Sequence, residues 1–518
     1  MKNTTNINTI IAIGLIVLLS LTFSSCDEFL EEVPDSVLTE ANFYNTEADA
    51  ASAVDALYAS VQSGNSGWYY GNFYATTDVN TDDMFSDPGV GSALWQAWSK
   101  LNIHSEIDQI GTVWNQHYIT IGRANAVLEY VSEDLAIRDV AVGQAKFFRA
   151  LAYFDLVRYF GDVPVTTSII TSLDDAFTIA GNRVASTEIY ELIEQDLLDA
   201  EELLPDNWTG KDYGRVTAGS AKGMLAKVYL TWAGNPLNDE SKYQLAADKA
   251  GEVVNQRSKY GYGLESNYLD AFVNNVGQES LFEAQMLSGI GVGQGGTLAG
   301  IATMPRNLAS ILGSNYRGNA LVRPTPDLVK AFDADDLRYQ TGMFTSLSSD
   351  MGTATFDPHV FKYIETDLLE QGLVLNDGGR NTKVLRFADV LLIYAEALNE
   401  VESSPSSDAY AAINEVRNRA GLENLSGLDK NSFREAVYLE RRLELFAEGH
   451  RWFDLVRQGR YVSTMQDFSN TLQDFPDPAT SSTYVIEKNI QSHFILMPIP
   501  QSQLDILELD EDIQNPGY

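Results

Sequence analysis

ERRLELFAEGHRWFDLVR, residues 440–457, is the stretch of this sequence that decides the fold. Its core-forming apolar side chains are Leu443, Phe446, Trp452, Phe453 and Val456. Its arginines are Arg441, Arg442, Arg451 and Arg457, and its carboxylates are Glu440, Glu444, Glu448 and Asp454. Arginine and carboxylate groups can form bidentate pairs. We therefore expect this stretch to fix the packing of helices, not to contact a ligand.

Helical periodicity extends outward from this stretch through most of the chain. The pattern predicts helices over 47–61, 114–131, 140–160, 188–204, 218–231, 242–255, 384–401, 407–420 and 432–448. Several neighbouring helices carry Ala, Leu and Tyr on the sides that would face each other. Antiparallel pairs of this kind are typical of tetratricopeptide-type repeats. The sequence therefore predicts a mainly α fold built from repeat-like helical hairpins.

The first 26 residues indicate where the protein is located. The apolar run 10–21 is too short to cross a bilayer and has the length of a signal-peptide core. Small residues lead into Cys26, the only cysteine of the chain, as in a bacterial lipobox. Acylation would explain this lone cysteine in an exported protein. We expect a signal peptide over 1–25 and a lipidated tether over 26–40; the alternative is an ordinary signal peptide with a buried free cysteine.

The composition bears on several classes of ligand. The formal net charge of −37 repels nucleic acid and disfavours polyanionic ligands, which leaves neutral ligands as the default. The five histidines have no metal-ligand spacing, and no metal or other cofactor is predicted. Glycines at 291, 293 and 296 match a dinucleotide fingerprint only formally, because no acidic residue follows about 20 positions later. Carboxylate pairs are too frequent here to indicate a hydrolase.

Five segments carry a family resemblance. They are RPTPDL at 323–328, VLRFADVLLIYAEA at 384–397, INEVRNRAG at 413–421, the 440–457 stretch, and QNPGY at 514–518. In this order they resemble the SusD/RagB family of nutrient-capture lipoproteins. The resemblance implies one α domain over 41–518, with the family motifs in 316–518. It also implies tetratricopeptide-like helical hairpins forming a right-handed superhelix, with long irregular loops and a few short strands.

The same resemblance implies a function. SusD-like proteins are anchored to the outer membrane and face the cell exterior, and the acidic cluster 27–32 resembles a surface-export signal or is a solvated tether. They capture oligosaccharide or polysaccharide for a SusC-like TonB-dependent transporter, without being enzymes. We expect a neutral glycan, such as a β-glucan of plant or algal origin. The alternatives are peptide capture, as in RagB-like relatives, and a surface glycoside hydrolase.

Two polar-aromatic regions, 63–110 and 285–323, are the candidates for the glycan site. Aromatic rings bracketed by Gly and polar residues, outside a periodic helix, are not easily explained as core, and sugars bind flat rings flanked by fixed hydrogen-bonding groups. Asp82 and Asp83 could equally cap a helix or bind a cation. The candidate residues are Trp68, Tyr70, Asn72, Asp82, Trp95, Trp98, Asn307, Tyr316 and Arg317.

Overall fold

The computed structural model describes most of the chain. The described residues are 43–62, 68–69, 72–90, 92–288, 299–306, 308–312, 318–350, 352–365, 378–470, 474–477, 482–486, 488–507 and 513–518. Cys26 and the segments predicted as signal peptide and tether therefore lie outside the described residues.

The described structure contains fourteen helices of at least seven residues. They are α1 Glu47–Gln62, α2 Ala93–Lys100, α3 Asp108–Tyr130, α4 Arg138–Phe160, α5 Leu173–Ala180, α6 Ser186–Leu203, α7 Ala218–Ala233, α8 Lys242–Asn255, α9 Phe387–Val401, α10 Ser407–Arg419, α11 Lys430–Glu444, α12 Arg451–Arg457, α13 Tyr461–Asn470 and α14 Gln501–Leu507.

The long helices pack on their neighbours in chain order. Helix α3 packs on α4, α4 on α6, α6 on α7, α7 on α8, and α8 on α9, which in turn contacts α10 and α11. This succession confirms the predicted mainly α fold of helical hairpins. Helix α4 lies at the centre, with its Ala, Phe and Leu side chains buried on all sides. Because it is buried on several sides, its apolar residues are not confined to one stripe. Its buried polar residues are Gln144, Arg149 and Asp155.

The described strands are short and pair in four two-stranded antiparallel sheets. They are β1 Met84–Phe85, β2 Ser280–Ala284, β3 Arg323–Pro324, β4 Met343–Ser349, β5 Gly352–Val360, β6 Thr382–Arg386, β7 Asp474–Asp477 and β8 Ser482–Val485. The pairs are β1 with β3, β2 with β6, β4 with β5, and β7 with β8. Short helical segments are Asn72–Tyr74, Ala75–Val79, Gly210–Asp212, Arg257–Tyr260, Asp270–Val273, Ala299–Thr303, Ala309–Leu312, Pro326–Ala331 and Leu337–Gly342.

Three helix boundaries differ from the prediction by three residues or more. Helix α3 begins at Asp108, six residues before the predicted start. Residues 384–386, predicted as the start of a helix, belong to β6, and α9 begins at Phe387. Helix α11 ends at Glu444, where a turn separates it from α12. Gly449 in this turn has φ +78°, and a Cβ atom there would lie 1.9 Å from a ring carbon of Phe73. The turn therefore requires glycine, which ends the helical pattern.

Buried ion pairs connect the 440–457 stretch to distant segments. Glu444 accepts hydrogen bonds from Arg386, at 2.5 Å, and from Arg419. Its second carboxylate oxygen accepts from Arg338 at 3.3 Å. We call the connected set of buried side chains the Glu444 network. It consists of Glu279, Asp336, Arg338, Lys362, Arg386, Arg419, Glu440, Glu444 and Glu448.

The expected pairing within the stretch is only partly correct. Asp454 does pair with Arg441, at 3.0 Å, and with Arg457, at 2.9 Å. Arg442 and Arg451, however, pair with aspartates of the first loop region, described below. The glutamates of the stretch take arginines from elsewhere in the chain. The physical reason is the turn at Gly449, which directs the side chains of α11 and α12 toward different segments.

Glu444→Gln tests the Glu444 network. Three guanidinium groups would lose their shared counter-charge in a buried site, so we expect the free energy of unfolding to fall by about 3–5 kcal/mol. Chemical denaturation at neutral pH measures this change. The matched control is Glu435→Gln, which removes the exposed pair with Arg460. The control should change the free energy of unfolding by less than about 1 kcal/mol.

The same variant should alter the pH dependence of stability. Burial alone would raise the pKa of Glu444, but the guanidinium groups beside it lower its pKa to about 2. The stabilisation is therefore fully present above the unfolded pKa of about 4.3 and is lost as pH falls toward 2. Glu444→Gln should flatten this part of the stability curve. An unchanged slope and an unchanged free energy at neutral pH would contradict the network's role.

Candidate functional site

Strand pairing brings the two predicted loop regions together. Met84 of β1 lies opposite Pro324 of β3, and Phe85 lies opposite Arg323. The Asp87 carboxylate accepts hydrogen bonds from Arg306 at 3.0 Å and from Arg323 at 2.6 Å. Two regions that are distant in sequence therefore meet at one surface.

Asp82 and Asp83 anchor the first loop region to the 440–457 stretch. Asp82 forms a bidentate pair with Arg451 at 2.9 and 2.7 Å, and Asp83 accepts from Arg442 at 2.6 Å. Burial alone would raise the pKa of Asp82, but Arg451 and Arg442 hold it well below its usual range. Burial raises the pKa of Asp83. Both carboxylates are thus engaged in ion pairs beneath the surface.

Trp95 and Trp98 lie on helix α2, which corrects the premise that they stand outside a periodic helix. The hydroxyl of Ser92 caps this helix by accepting from the Trp95 amide. Trp98 is 0% exposed, and its indole N–H donates to the Gln109 side-chain oxygen at 2.8 Å. Trp95 is 7% exposed. In this conformation, therefore, Trp98 packs in the core and Trp95 reaches the surface with one edge only.

Trp68 is also buried. Its ring stacks on Tyr69 with centroids 5.1 Å apart, and it lies 3.5 Å from the His117 ring. Four of the remaining candidates lie outside the described residues. They are Tyr70, Asn307, Tyr316 and Arg317. For Asn72, the backbone is described but the side chain is not. Contact between a glycan and any of the nine candidates stays a prediction.

A surface cleft of about 400 Å³ lies where both loop regions begin. We call it the Tyr213 cleft, after an exposed aromatic residue that the sequence analysis missed. The Tyr213 side chain is 59% exposed. The cleft volume is typical of sites for small molecules. Its lining residues are Asp55, Tyr58, Ala59, Val61, Gln62, Lys211, Tyr213, Arg215, Glu283, Gln285, Met286 and Leu287.

The loop that carries Tyr213 is held in place by hydrogen bonds and close packing. The Tyr213 hydroxyl donates to the Val276 carbonyl at 3.1 Å. Gly214 has φ +92°, and a Cβ atom there would lie 2.7 Å from the side-chain nitrogen of Gln285. The sequence signal was present, because Tyr213 follows Gly210-Lys211-Asp212 and precedes Gly214.

The lining of the Tyr213 cleft carries charges of both signs. Lys211 and Arg215 are basic, and Asp55 and Glu283 are acidic. Arg215 donates to Asp55 at 2.5 Å, and Glu283 pairs with the buried Lys383 at 2.5 Å. Amide groups of Gln62 and Gln285 add neutral donors and acceptors. An exposed ring beside fixed polar groups can bind the apolar face of a sugar and its hydroxyls together.

Within the described ranges, no group of three or more His, Cys, Asp or Glu side chains could hold a metal ion. No described helix combines the length and the apolar character that crossing a membrane requires.

Family comparisons match both ends of the chain. The profile of the SusD family matches residues 335–518. A second profile, described as starch-binding and associating with the outer membrane, matches residues 28–230. The SusD-like protein P2 of Formosa agariphila is 29% identical over 476 residues, which cover 85% of this chain and 89% of that protein. The chain belongs to the SusD family. Outer-membrane association is part of that family's description.

Solved structures of SusD-like proteins share the fold. A SusD homologue from Bacteroides thetaiotaomicron is 27% identical, with a TM-score of 0.80, over 92% of this chain and 98% of that one. A laminarin-binding SusD-like protein is 26% identical, with a TM-score of 0.73, over 92% of this chain and all of that one. The resemblance stated from the motifs is therefore confirmed for family and fold.

Two alanine variants of this SusD-family protein compare a buried aromatic residue, Trp98, with an exposed one, Tyr213. Trp98→Ala removes a buried indole and its hydrogen bond, so we expect the free energy of unfolding to fall by about 3–5 kcal/mol. Tyr213→Ala truncates an exposed ring and should change it by less than about 1 kcal/mol. Chemical denaturation of both variants checks this difference. Equal, small effects would show that Trp98 is not a core residue.

Proposed function

We propose that this protein is a surface lipoprotein that captures a neutral oligosaccharide or polysaccharide for a partner TonB-dependent transporter of the SusC type. It acts by binding, without catalysis. The observation that carries the proposal is the likeness to a laminarin-binding SusD-like protein over essentially its full length. The described starch-binding character of the N-terminal profile supports the same class of ligand.

The glycan site we propose is the Tyr213 cleft, continued by the two loop regions that begin at its edge. Tyr213 supplies the exposed ring, and Gln62 and Gln285 supply amide hydrogen bonds. Tyr70, Asn72, Asn307, Tyr316 and Arg317 remain the proposed contacts from the loops, with Trp95 at the margin. Trp68, Trp98 and Asp82 support these loops from beneath.

The charge of the cleft favours a neutral ligand. Of its two basic side chains, Arg215 is already paired with Asp55 and Asp212, so the cleft offers no cluster of cations to a polyanionic glycan. The net charge of the whole chain repels polyanions at longer range. Laminarin, a neutral β-glucan, is therefore the first ligand to test.

Anchoring compensates for weak binding. A shallow ring platform buries little of a hydrated ligand, so individual affinity is expected to be low. A lipid on Cys26 would hold the protein beside its transporter and raise the effective concentration of captured glycan. Two or three acyl chains hold a protein at a membrane where one chain would not.

Affinity electrophoresis tests capture. The soluble protein, starting after Cys26, is run through gels containing laminarin, and retardation is expected. Tyr213→Ala should weaken binding by about tenfold, because it removes one ring contact worth roughly 1.4 kcal/mol. Phe177→Ala is the matched control, since Phe177 is 49% exposed and does not line the cleft. Tyr316→Ala/Arg317→Ala tests the second loop region.

Three other outcomes would contradict parts of the proposed function. Retardation by alginate, an anionic polysaccharide, and not by any neutral one would contradict the neutral-glycan proposal. The absence of retardation by any polysaccharide would overturn glycan capture and favour peptide capture. Release of reducing ends that a single carboxylate substitution abolishes would identify a hydrolase.

Cys26→Ala tests the anchor. The variant loses the acylated thiol, so the protein should move from the detergent phase to the aqueous phase in detergent partitioning of whole-cell extracts. Ser25→Ala is the control, because it keeps the cysteine and a small residue before it. Membrane retention of Cys26→Ala would contradict lipidation at this residue.

A further inference from the structure

Val276 has a backbone conformation that valine rarely adopts. Its φ is +54°, in the left-handed region. Six described non-glycine residues have a positive φ, and Val276 alone among them is β-branched, which makes it a genuine outlier. Asparagine precedes it at 275 and glycine follows at 277, and both adopt this conformation more readily. The left-handed position therefore falls on the least suitable of the three residues.

A buried carboxylate holds Val276 in this conformation. The Val276 amide N–H donates to Glu283 at 3.0 Å. Glu283 is 3% exposed, and its carboxylate also accepts from Asn381 at 2.8 Å and from Lys383 at 2.5 Å. Because these groups fix the carboxylate, they also fix the amide that donates to it. A strained residue persists only where its surroundings determine its conformation in this way.

The side chain of Asn275 fixes the same segment through different hydrogen bonds. It donates to the Gly379 carbonyl at 2.7 Å and accepts from the Asn381 amide at 3.1 Å. The peptide before Val276 is therefore fixed as well as its own amide. Two separate sets of hydrogen bonds thus determine how Val276 is oriented.

Val276 contacts the loop that carries Tyr213 in two ways. Its carbonyl accepts from the Tyr213 hydroxyl at 3.1 Å. Its two methyl carbons lie against Gly214, where an added Cβ atom would be 3.0 and 3.1 Å from them. The direction of a carbonyl group depends on the backbone dihedrals, so a valine in an extended or helical conformation would not present the same acceptor to Tyr213.

The Tyr213 ring benefits from this restraint because it is exposed. With 59% of its surface exposed, the side chain would otherwise sample several rotamers. Ordering such a side chain on binding reduces affinity, and a ring that is fixed in advance avoids this loss.

We infer that Val276 is a positioning residue for glycan capture, whose strained conformation holds the Tyr213 ring where the face of a sugar binds. Strained residues cluster at binding sites, where they contribute to preorganisation. Val276 is not among the residues that line the cleft, so it acts through Tyr213. The inference rests on the proposed function, because the Tyr213 cleft is the glycan site proposed there.

Laminarin binding by backbone variants tests this inference. The full-length chain, in mild detergent, is run through gels of increasing laminarin concentration. Val276→Pro cannot adopt a positive φ and lacks the amide hydrogen that Glu283 accepts. It should weaken binding about threefold to tenfold, the effect of ordering one side chain on binding. Val276→Asn is the matched control and should bind as the wild type does, because asparagine tolerates the left-handed conformation.

A double variant separates positioning from a general effect on the fold. Tyr213→Phe keeps the ring and loses its hydrogen bond, so it should weaken binding about as much as Val276→Pro does. If both changes release the same ring, Val276→Pro/Tyr213→Phe binds no more weakly than either single variant. Additive losses would overturn the inference, and so would wild-type binding by Val276→Pro or by Tyr213→Phe.

The melting temperature of each variant completes the test. If Val276→Pro melts well below the wild type, Asn275→Ala takes its place, because it removes two hydrogen bonds of the segment and leaves Val276 unchanged. Weaker binding by Asn275→Ala at an unchanged melting temperature supports the inference, and unchanged binding overturns it.

Failure of the proposed function gives a different pattern. A wild-type chain that laminarin does not retard, or retardation that Tyr213→Ala leaves unchanged, removes the glycan site from the cleft and the inference with it. Retardation that Tyr213→Ala weakens and Val276→Pro does not would overturn the inference alone.

Discussion

Glu444 lies between three guanidinium groups in the interior, and the arrangement of the chain depends on this contact. Arg338, Arg386 and Arg419 come from separate segments and converge on one carboxylate. A buried charge that loses its partner costs several kcal/mol, whereas a satisfied pair adds little net stability. We therefore regard the Glu444 network as selecting one arrangement of segments over others, while the apolar core around it supplies most of the stabilisation.

The 440–457 stretch also connects the Glu444 network to the first loop region. Helix α11 presents Glu444 to the interior and Arg442 to Asp83 of the first loop region. Across the turn, Arg451 holds Asp82. Gly449 donates its amide hydrogen to Asp78 of the same region, and Lys488 donates to the carbonyls of Val79 and Met84. The first loop region is therefore tied to the core by ion pairs and backbone hydrogen bonds, which limit how far it can shift.

The sequence predicted the positions of the helices well, but it did not predict which side chains pair across the fold. Periodicity located α4, α7 and α8 to within two residues, because those helices carry their apolar pattern in their own sequence. It could not show that Arg442 pairs with Asp83, since spacing along one helix suggests only local pairs. It also placed Trp98 in a loop. The polar residues around Trp98 suggested that its ring is exposed. In the structure, Ser92 caps the helix that carries Trp98, and the buried indole donates a hydrogen bond to Gln109.

The site was the least predictable part, and charge explains why. A chain with a net charge of −37 has acidic residues on every surface, so acidity identifies no function. What distinguishes the Tyr213 cleft is departure from that background. Two basic and two acidic side chains line it around an exposed ring. Repulsion keeps polyanions away from the chain as a whole. A neutral sugar meets little of this repulsion, so an acidic exterior favours a neutral sugar over a polyanion at such a cleft.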